Sequence, residues 1–185
     1  MSTKNQAVDP AKAMEAAWEI SKLARCQDIP HALCGGLAMQ LYGFTRATKD
    51  VDFIGESSLN LPVVRHLSFG GEVYQKSGIP IDWIIRSDEA ENLYALALKA
   101  SRNSRWAGGV IPIITPEWMV ILKKLAGRGK DEMDVLWLLR QPKLVNRSAL
   151  LKSLKAAFGK HAYWPIKDME ALFLEADLMK AKDEA

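Results

Sequence analysis

The stretch "CGGLAMQLYGFTRATKDVDFIG", residues 34–55, decides the fold of this chain. Two glycines precede a helix-like run, and two aspartates then take alternate positions in an apolar strand. Alternate side chains of a strand point to the same face, so Asp50 and Asp52 lie about 7 Å apart along the backbone. Carboxylates at that spacing repel each other and resist burial unless a cation or a proton lies between them. The stretch therefore predicts a bound ligand at this strand.

The order strand, Gly-Gly, helix is also typical of a phosphate site. Gly35 and Gly36 let the backbone approach an anion, and the first N–H groups of the helix meet its charge. Asp50 and Asp52 offer oxygen ligands to Mg²⁺, which commonly shares its other positions with substrate phosphates. Asp82, alone among apolar residues in "IPIDWII", is the candidate third acid. It would complete a two-cation site and accept a proton from an attacking hydroxyl, so the set predicts phosphoryl or nucleotidyl transfer.

Each of these signals also has a plainer interpretation. A lone Gly-Gly is more often a turn than a phosphate site. An Asp-x-Asp pair is commonly two solvated loop residues, and Asp82 alone suits a strand edge that faces water. The three together, in this order, favour the functional interpretation.

The hydrophobic pattern predicts an α+β fold, a small mixed β-sheet flanked by helices with a helical C-terminal half. Residues 1–114 are expected to form the α/β core with an N-terminal helix, and residues 115–185 a helical subdomain. In the first part we expect helices over 10–25, 36–43 and 88–100 and strands over 29–35, 50–54, 72–75, 80–85 and 109–115. In the second part we expect helices near 116–126, 131–140, 147–158 and 166–182.

The composition bounds the class of protein. The 185 residues fit one domain, or a small domain with an appendage, and the net charge of +3 does not by itself identify a nucleic-acid binder. Cys26 and Cys34, the only cysteines, lack metal-site spacing and suit small buried thiols in a reducing compartment. No stretch approaches 18 apolar residues. We therefore expect a cytoplasmic protein with no membrane partner.

Residues 34–53 resemble the signature of the DNA polymerase β-like nucleotidyltransferase superfamily. That signature is an apolar residue, Gly, Gly or Ser, a spacer of about a dozen, and then two acids that alternate with apolar residues. Here Cys34-Gly35-Gly36, thirteen residues and Asp50-Val51-Asp52-Phe53 fill it. The longer run "YGFTRATKDVDF" is similar to the minimal nucleotidyltransferases related to AbiEii-type toxins of type IV toxin–antitoxin systems, and "TPEWMVILKKLAGRGKDEMDVLWLL" (115–139) resembles that family's second motif.

The resemblance implies a role for each matching residue. Asp50 and Asp52 would hold two Mg²⁺ ions with Asp82 as the third acid, and a nucleoside triphosphate would be the substrate. Many relatives carry serine after the first glycine, so Gly36 leaves only the backbone contact with the triphosphate at that position. The further implied residues are Gly35 at the triphosphate, Lys123 at a phosphate, Arg46 and Thr48 beside the loop or the nucleotide, and Arg128, Lys130, Asp131 and Asp134 in the second motif.

The second motif has a bottom-up interpretation as well. Gly127 and Gly129 interrupt the helix between Lys123 and Lys130, so the two lysines need not share a face. Asp131 and Asp134 would then lie in the first turn of the next helix, where acids are favoured in any case. Helix capping with surface ion pairs, and for Lys123 a solvated helix face, stay open as alternatives.

The acceptor is suggested by the stretch 143–167. It carries six basic residues and no acidic one, with Tyr163 and Trp164 at a break between helices. Clustered cations near aromatic rings suit a nucleic-acid backbone with a stacked base, and the alternative is a solvated helix face with Trp164 packed inward. The resemblance implies an RNA acceptor, the tRNA 3′ end, a role as the toxin of a toxin–antitoxin pair, and an antitoxin protein as a further partner.

Two other functions remain open. A nucleotidyltransferase acting on a small molecule such as an antibiotic would use the same glycines and acids, but would pair them with an acidic pocket. A catalytically inactive binding module of the same fold would have no need for three costly acids at Asp50, Asp52 and Asp82.

Overall fold

The computed structural model describes residues 7–106 and 109–183. Contacts within the chain divide it into two compact units, Met1–Ile114 and Thr115–Ala185. The first unit is a mixed β-sheet with helices, as the sequence predicts. Its elements are α1 (Pro10–Cys26), β1 (His31–Cys34), α2 (Gly35–Leu41), β2 (Val51–Gly55), β3 (Arg65–His66), β4 (Gly71–Lys76), β5 (Ile79–Ile84), α3 (Glu91–Lys99), β6 (Arg102–Trp106) and β7 (Gly109–Ile113).

The sheet runs in the order β3-β4-β5-β2-β1-β7-β6. Strand β2 is antiparallel to β1 and parallel to β5, so the sheet is mixed at its centre. Hairpin partners flank this centre on both sides, with β4 beside β5 and β6 beside β7. The predicted mixed sheet is thereby confirmed.

Two strands escaped the sequence pattern because they lie at the edges of the sheet. Strand β6 has the sequence "RNSRW", which shows no apolar alternation, and it pairs on one side only with β7. Strand β3 has just two residues, both exposed. Short or charged edge strands protect a sheet from pairing with other chains, and these same features remove the signal that identifies a strand.

The core of the first unit surrounds the central strands. All four residues of β1 are buried, and Phe53 and Trp83 on the neighbouring strands are fully buried. Helix α1 begins as predicted, because the Asp9 carboxylate accepts a hydrogen bond from the Lys12 N–H at 3.0 Å and a proline starts the first turn. Cys34 is buried as expected, whereas Cys26 is exposed because it is the last residue of α1.

The second unit is helical, as predicted. A left-handed Gly127 (φ 61°) ends the first of its helices, so the two lysines of the second motif lie on different helices. The last helix begins before the predicted residue 166 and includes the two aromatic residues expected at a break. The helices are α4 (Pro116–Ala126), α5 (Gly129–Leu139), α6 (Arg147–Phe158) and α7 (Tyr163–Asp183), with a 3-10 turn at Gly159–His161. In the described ranges, no helix combines the length and the apolar character that crossing a bilayer requires.

Candidate functional site

Three carboxylates meet where β2 begins. Asp52 in β2 is the register partner of Asp82 in the parallel strand β5, and Asp50 lies one residue before β2. One carboxylate oxygen from each of the three lies within 4.8 Å of the others. All three are half-buried, and their spacing and donor type suit a divalent cation. The structure thus brings together the three acids that the sequence identifies.

The negative charge of this cluster is not fully compensated by the described residues. Burial raises the pKa of Asp82, and the charge of Asp50 raises it further, while Arg65 opposes both effects. The Asp82 Oδ1 atom is buried without a hydrogen-bond donor among the described residues, and its ion-pair partner, Arg65 Nη2, is 3.8 Å away. A buried anionic oxygen in this state is costly, and a bound cation would remove the cost. Sequence reasoning missed Arg65, which lies on the short edge strand β3 and carries no local signal.

The two glycines form the turn from β1 into α2. Gly35 has φ +63°, and a Cβ at this position would overlap the Asp52 carboxylate, so both the backbone and the space demand glycine. The Gly36 N–H donates to Asp52 Oδ2 at 3.3 Å. The glycine turn and the acid cluster are therefore one continuous site, with the backbone of α2 directly against a metal-ligand candidate.

Thr48 and Arg46 approach the same turn from the loop before β2. Thr48 is buried, and its hydroxyl donates to the Asp50 carbonyl at 3.0 Å and lies 3.3 Å from Asp50 Oδ1. The Arg46 carbonyl accepts a hydrogen bond from Gln40 Nε2 at 2.6 Å, which fastens the loop to α2. Thr48 thus fixes the backbone that carries the first acid. Gln40 was missed by sequence reasoning, since nothing in its local sequence marks the contact.

The second motif forms a buried ionic cluster in the C-terminal unit. Lys123 Nζ lies 3.0 Å from Asp131 Oδ1 and 2.5 Å from Asp134 Oδ2, and all three residues are buried. Arg128 Nε lies 2.5 Å from Asp131 Oδ2, whereas Lys130 is exposed. Burial raises the pKa of Asp131, but hydrogen bonds from Arg128 and Lys123 outweigh it and hold the pKa below its ordinary value. The solvated lysine considered as an alternative is wrong, because Lys123 is buried and its pairs with Asp131 and Asp134 are buried too. Asp131 lies in the first turn of α5 as expected, where its other partner Arg128 is 61% exposed, whereas Asp134 lies beyond the first turn.

The basic stretch 143–167 is partly neutralised. The Arg147 guanidinium makes two hydrogen bonds to Asp177, at 2.8 and 2.6 Å, and Lys167 Nζ lies 2.8 Å from Glu170. Trp164 is 72% exposed, so the alternative in which it packs inward is wrong. Four exposed lysines remain in this stretch, Lys143, Lys152, Lys155 and Lys160.

Comparison with known proteins places the fold. No protein-family profile matches the sequence, and no curated protein sequence matches it. An antigenic nucleotidyltransferase-like protein from Paracoccidioides brasiliensis is similar in structure, with a TM-score of 0.55, 16% identity, and coverage of 90% of this chain and 93% of that one. The antibiotic-resistance factor ANT(2'')-Ia gives a TM-score of 0.53 at 14% identity, over 88% of this chain and 99% of that one. At these identities the similarity is one of fold, and the chain has a nucleotidyltransferase-like fold.

Proposed function

We propose that this chain is a metal-dependent nucleotidyltransferase that moves a nucleoside monophosphate from a nucleoside triphosphate to an RNA. The observation that carries the proposal is the convergence of Asp50, Asp52 and Asp82 within 4.8 Å beside a glycine turn. The nucleotidyltransferase-like fold of the two structural neighbours supports the same reaction class.

The donor set fits Mg²⁺. Three carboxylates on or beside adjacent parallel strands, one with a buried oxygen that lacks a hydrogen-bond donor, provide oxygen ligands and a negative potential. Asp50, Asp52 and Asp82 would hold two ions, which when bound would neutralise the charge of the triphosphate and of its leaving group.

Other residues of the chain would bind the triphosphate and accept the proton. Gly35 and Gly36 let the turn lie directly against Asp52 and Thr48, with which side chains there would collide. In this proposal the turn offers backbone N–H groups to the triphosphate. An acceptor hydroxyl oxygen bonds to the α-phosphorus while the bond from that phosphorus to the bridging oxygen breaks, and pyrophosphate leaves. In this proposal Asp82, the third acid of the cluster, takes the hydroxyl proton. Within the C-terminal unit, we propose that the second motif, Lys123 with Arg128, Lys130, Asp131 and Asp134, binds a phosphate or holds helices α4 and α5 in position.

An RNA acceptor is proposed from surface charge. The exposed lysines of the stretch 143–167 offer contacts to phosphates, and Tyr163, 62% exposed, offers a ring for stacking. The likeness of "YGFTRATKDVDF" to AbiEii-type enzymes supports the tRNA 3′ end as the acceptor, and with it a role as a toxin held by an antitoxin. If the chain is such a toxin, its production in a host cell should arrest growth. The Asp50→Asn/Asp52→Asn variant should not arrest growth.

The deciding experiment is transfer of label from each of the four α-³²P nucleoside triphosphates to total RNA with Mg²⁺. The wild type is compared with Asp50→Asn/Asp52→Asn and with Glu56→Gln, which removes an exposed acid just after β2. Label on a tRNA-sized band in the wild type and in Glu56→Gln, absent in the double variant and with EDTA, supports the proposal.

The same assay separates the alternatives. Label that appears on small molecules of a cell extract, and not on RNA, would favour the small-molecule transferase suggested by the likeness to an antibiotic-resistance factor. No transfer to any acceptor would overturn the enzymatic proposal and favour a binding module.

A further inference from the structure

Helix α7 exposes an apolar stripe. Trp164, Leu174 and Leu178 are 72%, 67% and 66% exposed, and together with Tyr163 they account for four of the nine exposed large apolar residues in the described part of the chain. Ala171 and Ala181 are also exposed and share the stripe. Trp164, Ala171 and Leu178 are seven residues apart, and Leu174 and Ala181 lie three residues after the last two of these, which is the spacing of a helix-pairing seam.

The opposite face of the same helix already has partners. Met169 and Ala176 are buried, and α7 packs against α5 and α6. The helix is therefore apolar on two opposite faces. A helix with two such faces normally buries both, and the described residues of this chain cover one of them.

We propose that the stripe pairs with the stripe of a second copy of this chain, with the two α7 helices antiparallel. A two-fold axis midway between Ala171 and Leu174 places large side chains opposite small ones. Trp164 then faces Ala181, and Ala171 faces Leu174, each pair occurring twice. The remaining seam position, Lys167, faces Leu178 with its aliphatic stem and keeps its ammonium at Glu170.

The charged residues beside the stripe favour a second copy of this chain as its partner. In the same antiparallel register Asp168 lies beside Lys182 of the second copy, an attractive pair that occurs twice. Glu175 lies beside the same residue of the second copy, and this single repulsion sets a limit on affinity. Glu170 and Asp177 also border the stripe and pair with Lys167 and Arg147 of the same chain, which leaves these two cations less available to the phosphates of a nucleic acid. Trp164 is thereby assigned to self-association, while the lysines of α6 stay on a different helix for the proposed RNA.

The first test is the mass of the full-length protein, freed of nucleic acid, by sedimentation equilibrium over a range of concentrations. The wild type should reach twice the chain mass, and Leu174→Glu should raise the dissociation constant by about tenfold or more. Met133→Glu is the matched control, because Met133 is 59% exposed on α5, a different helix from the stripe, and it should leave the dimer intact. A wild type that stays monomeric, or a dimer equally sensitive to both substitutions, overturns the proposal.

Charge exchange tests the register. Asp168→Lys should weaken the dimer by placing two cations together, and adding Lys182→Asp should restore it. Glu175→Gln should tighten the dimer by removing the repulsion at the axis. Failure of the second substitution to restore association would overturn the antiparallel arrangement. Circular dichroism of each variant confirms that the helices are retained, which is expected because every substituted side chain is exposed.

Discussion

The side chain of Thr48 occupies the space beside Gly36. Its hydroxyl oxygen lies 2.5 Å, and its Cβ 2.9 Å, from the point where a Cβ on residue 36 would sit. The same hydroxyl donates to the carbonyl of Asp50, so the absence of a side chain at Gly36 lets Thr48 hold the first acid in place. The serine hydroxyl that many resembling sequences carry after the first glycine would have to displace Thr48 in this chain.

Gly36→Ala is expected to destabilise the protein by about 1–3 kcal/mol, because rotating Thr48 cannot relieve a contact that includes its own Cβ. Alanine is otherwise the better helix residue by about 1 kcal/mol, so any loss reports the collision. Gly129→Ala is the control, since Gly129 lies in the first turn of α5 with no heavy atom within 4 Å of an added Cβ. Urea unfolding measures both variants.

A double-mutant cycle assigns the loss to Thr48. In Gly36→Ala/Thr48→Gly the collision is gone, so the two substitutions should couple favourably by about 1 kcal/mol or more. Simple additivity would mean that the cost arises elsewhere, and that Thr48 moves aside without penalty.

Asp82→Asn should stabilise the cation-free protein. Burial and the charge of Asp50 both disfavour the Asp82 carboxylate, so its neutral isostere should raise Tm by about 1–3 °C at pH 7. With saturating Mg²⁺ the order should reverse, since the wild type gains about 2.7 kcal/mol at a cation concentration of 100 Kd, and the variant lacks one ligand.

Calorimetry with and without Mg²⁺ measures this reversal. Glu56→Gln should behave like the wild type in both conditions, because Glu56 is exposed and follows the end of β2. An Mg²⁺ response that survives intact in Asp82→Asn would remove Asp82 from the proposed cation site.

The sequence predicted the centre of the site because its signals are local. Asp50 and Asp52 are charged residues in an otherwise apolar strand segment. Gly35 and Gly36 are two flexible residues where a strand leads into a helix. Each pair is therefore unusual for its local sequence. Asp82 is likewise a charged residue among apolar ones on β5, and the parallel pairing of β5 with β2 places it beside Asp52. Local conflict between residue and environment is what marks a site in a single sequence.

The features that escaped prediction depend on contacts between distant residues. Arg65 reaches Asp82 from a two-residue edge strand, and Gln40 fastens the Arg46 carbonyl, yet neither residue is unusual in its own segment. Lys123 reads as one of two adjacent lysines on an amphipathic helix. Only the fold shows that it is buried between two acids while Lys124 is exposed.

Lys123→Met should therefore cost about 3 kcal/mol of folding stability. The substitution keeps the length of the side chain but leaves Asp131 and Asp134 buried without the ammonium that faces both of them. Lys124→Met, at the exposed neighbouring position, should change stability by about 0.5 kcal/mol or less. Chemical denaturation of the two variants makes the comparison, and equal effects would show that Lys123 is not a structural cation.

The buried cluster also predicts how stability responds to acid. The pKa of Asp131 is lower in the folded protein than its ordinary value of about 3.9, because hydrogen bonds from Arg128 and Lys123 outweigh burial. Between the folded pKa and the ordinary value the unfolded chain binds more protons, so stability falls as the pH falls through this window. Above it, the contribution of Asp131 is fully present.

Asp131→Asn should remove that contribution. The free energy by which the wild type exceeds the variant should be constant from pH 7 to about pH 5, and should then shrink by at most about 1.4 kcal/mol per pH unit as the pH is lowered further. Glu132→Gln, an exposed neighbour in the same turn of α5, serves as the control and should stay close to the wild type at every pH. Urea unfolding at pH 7, 5, 4 and 3 follows the difference. A gap between wild type and Asp131→Asn that does not narrow in acid would show that Asp131 is not held in its charged form by Lys123 and Arg128.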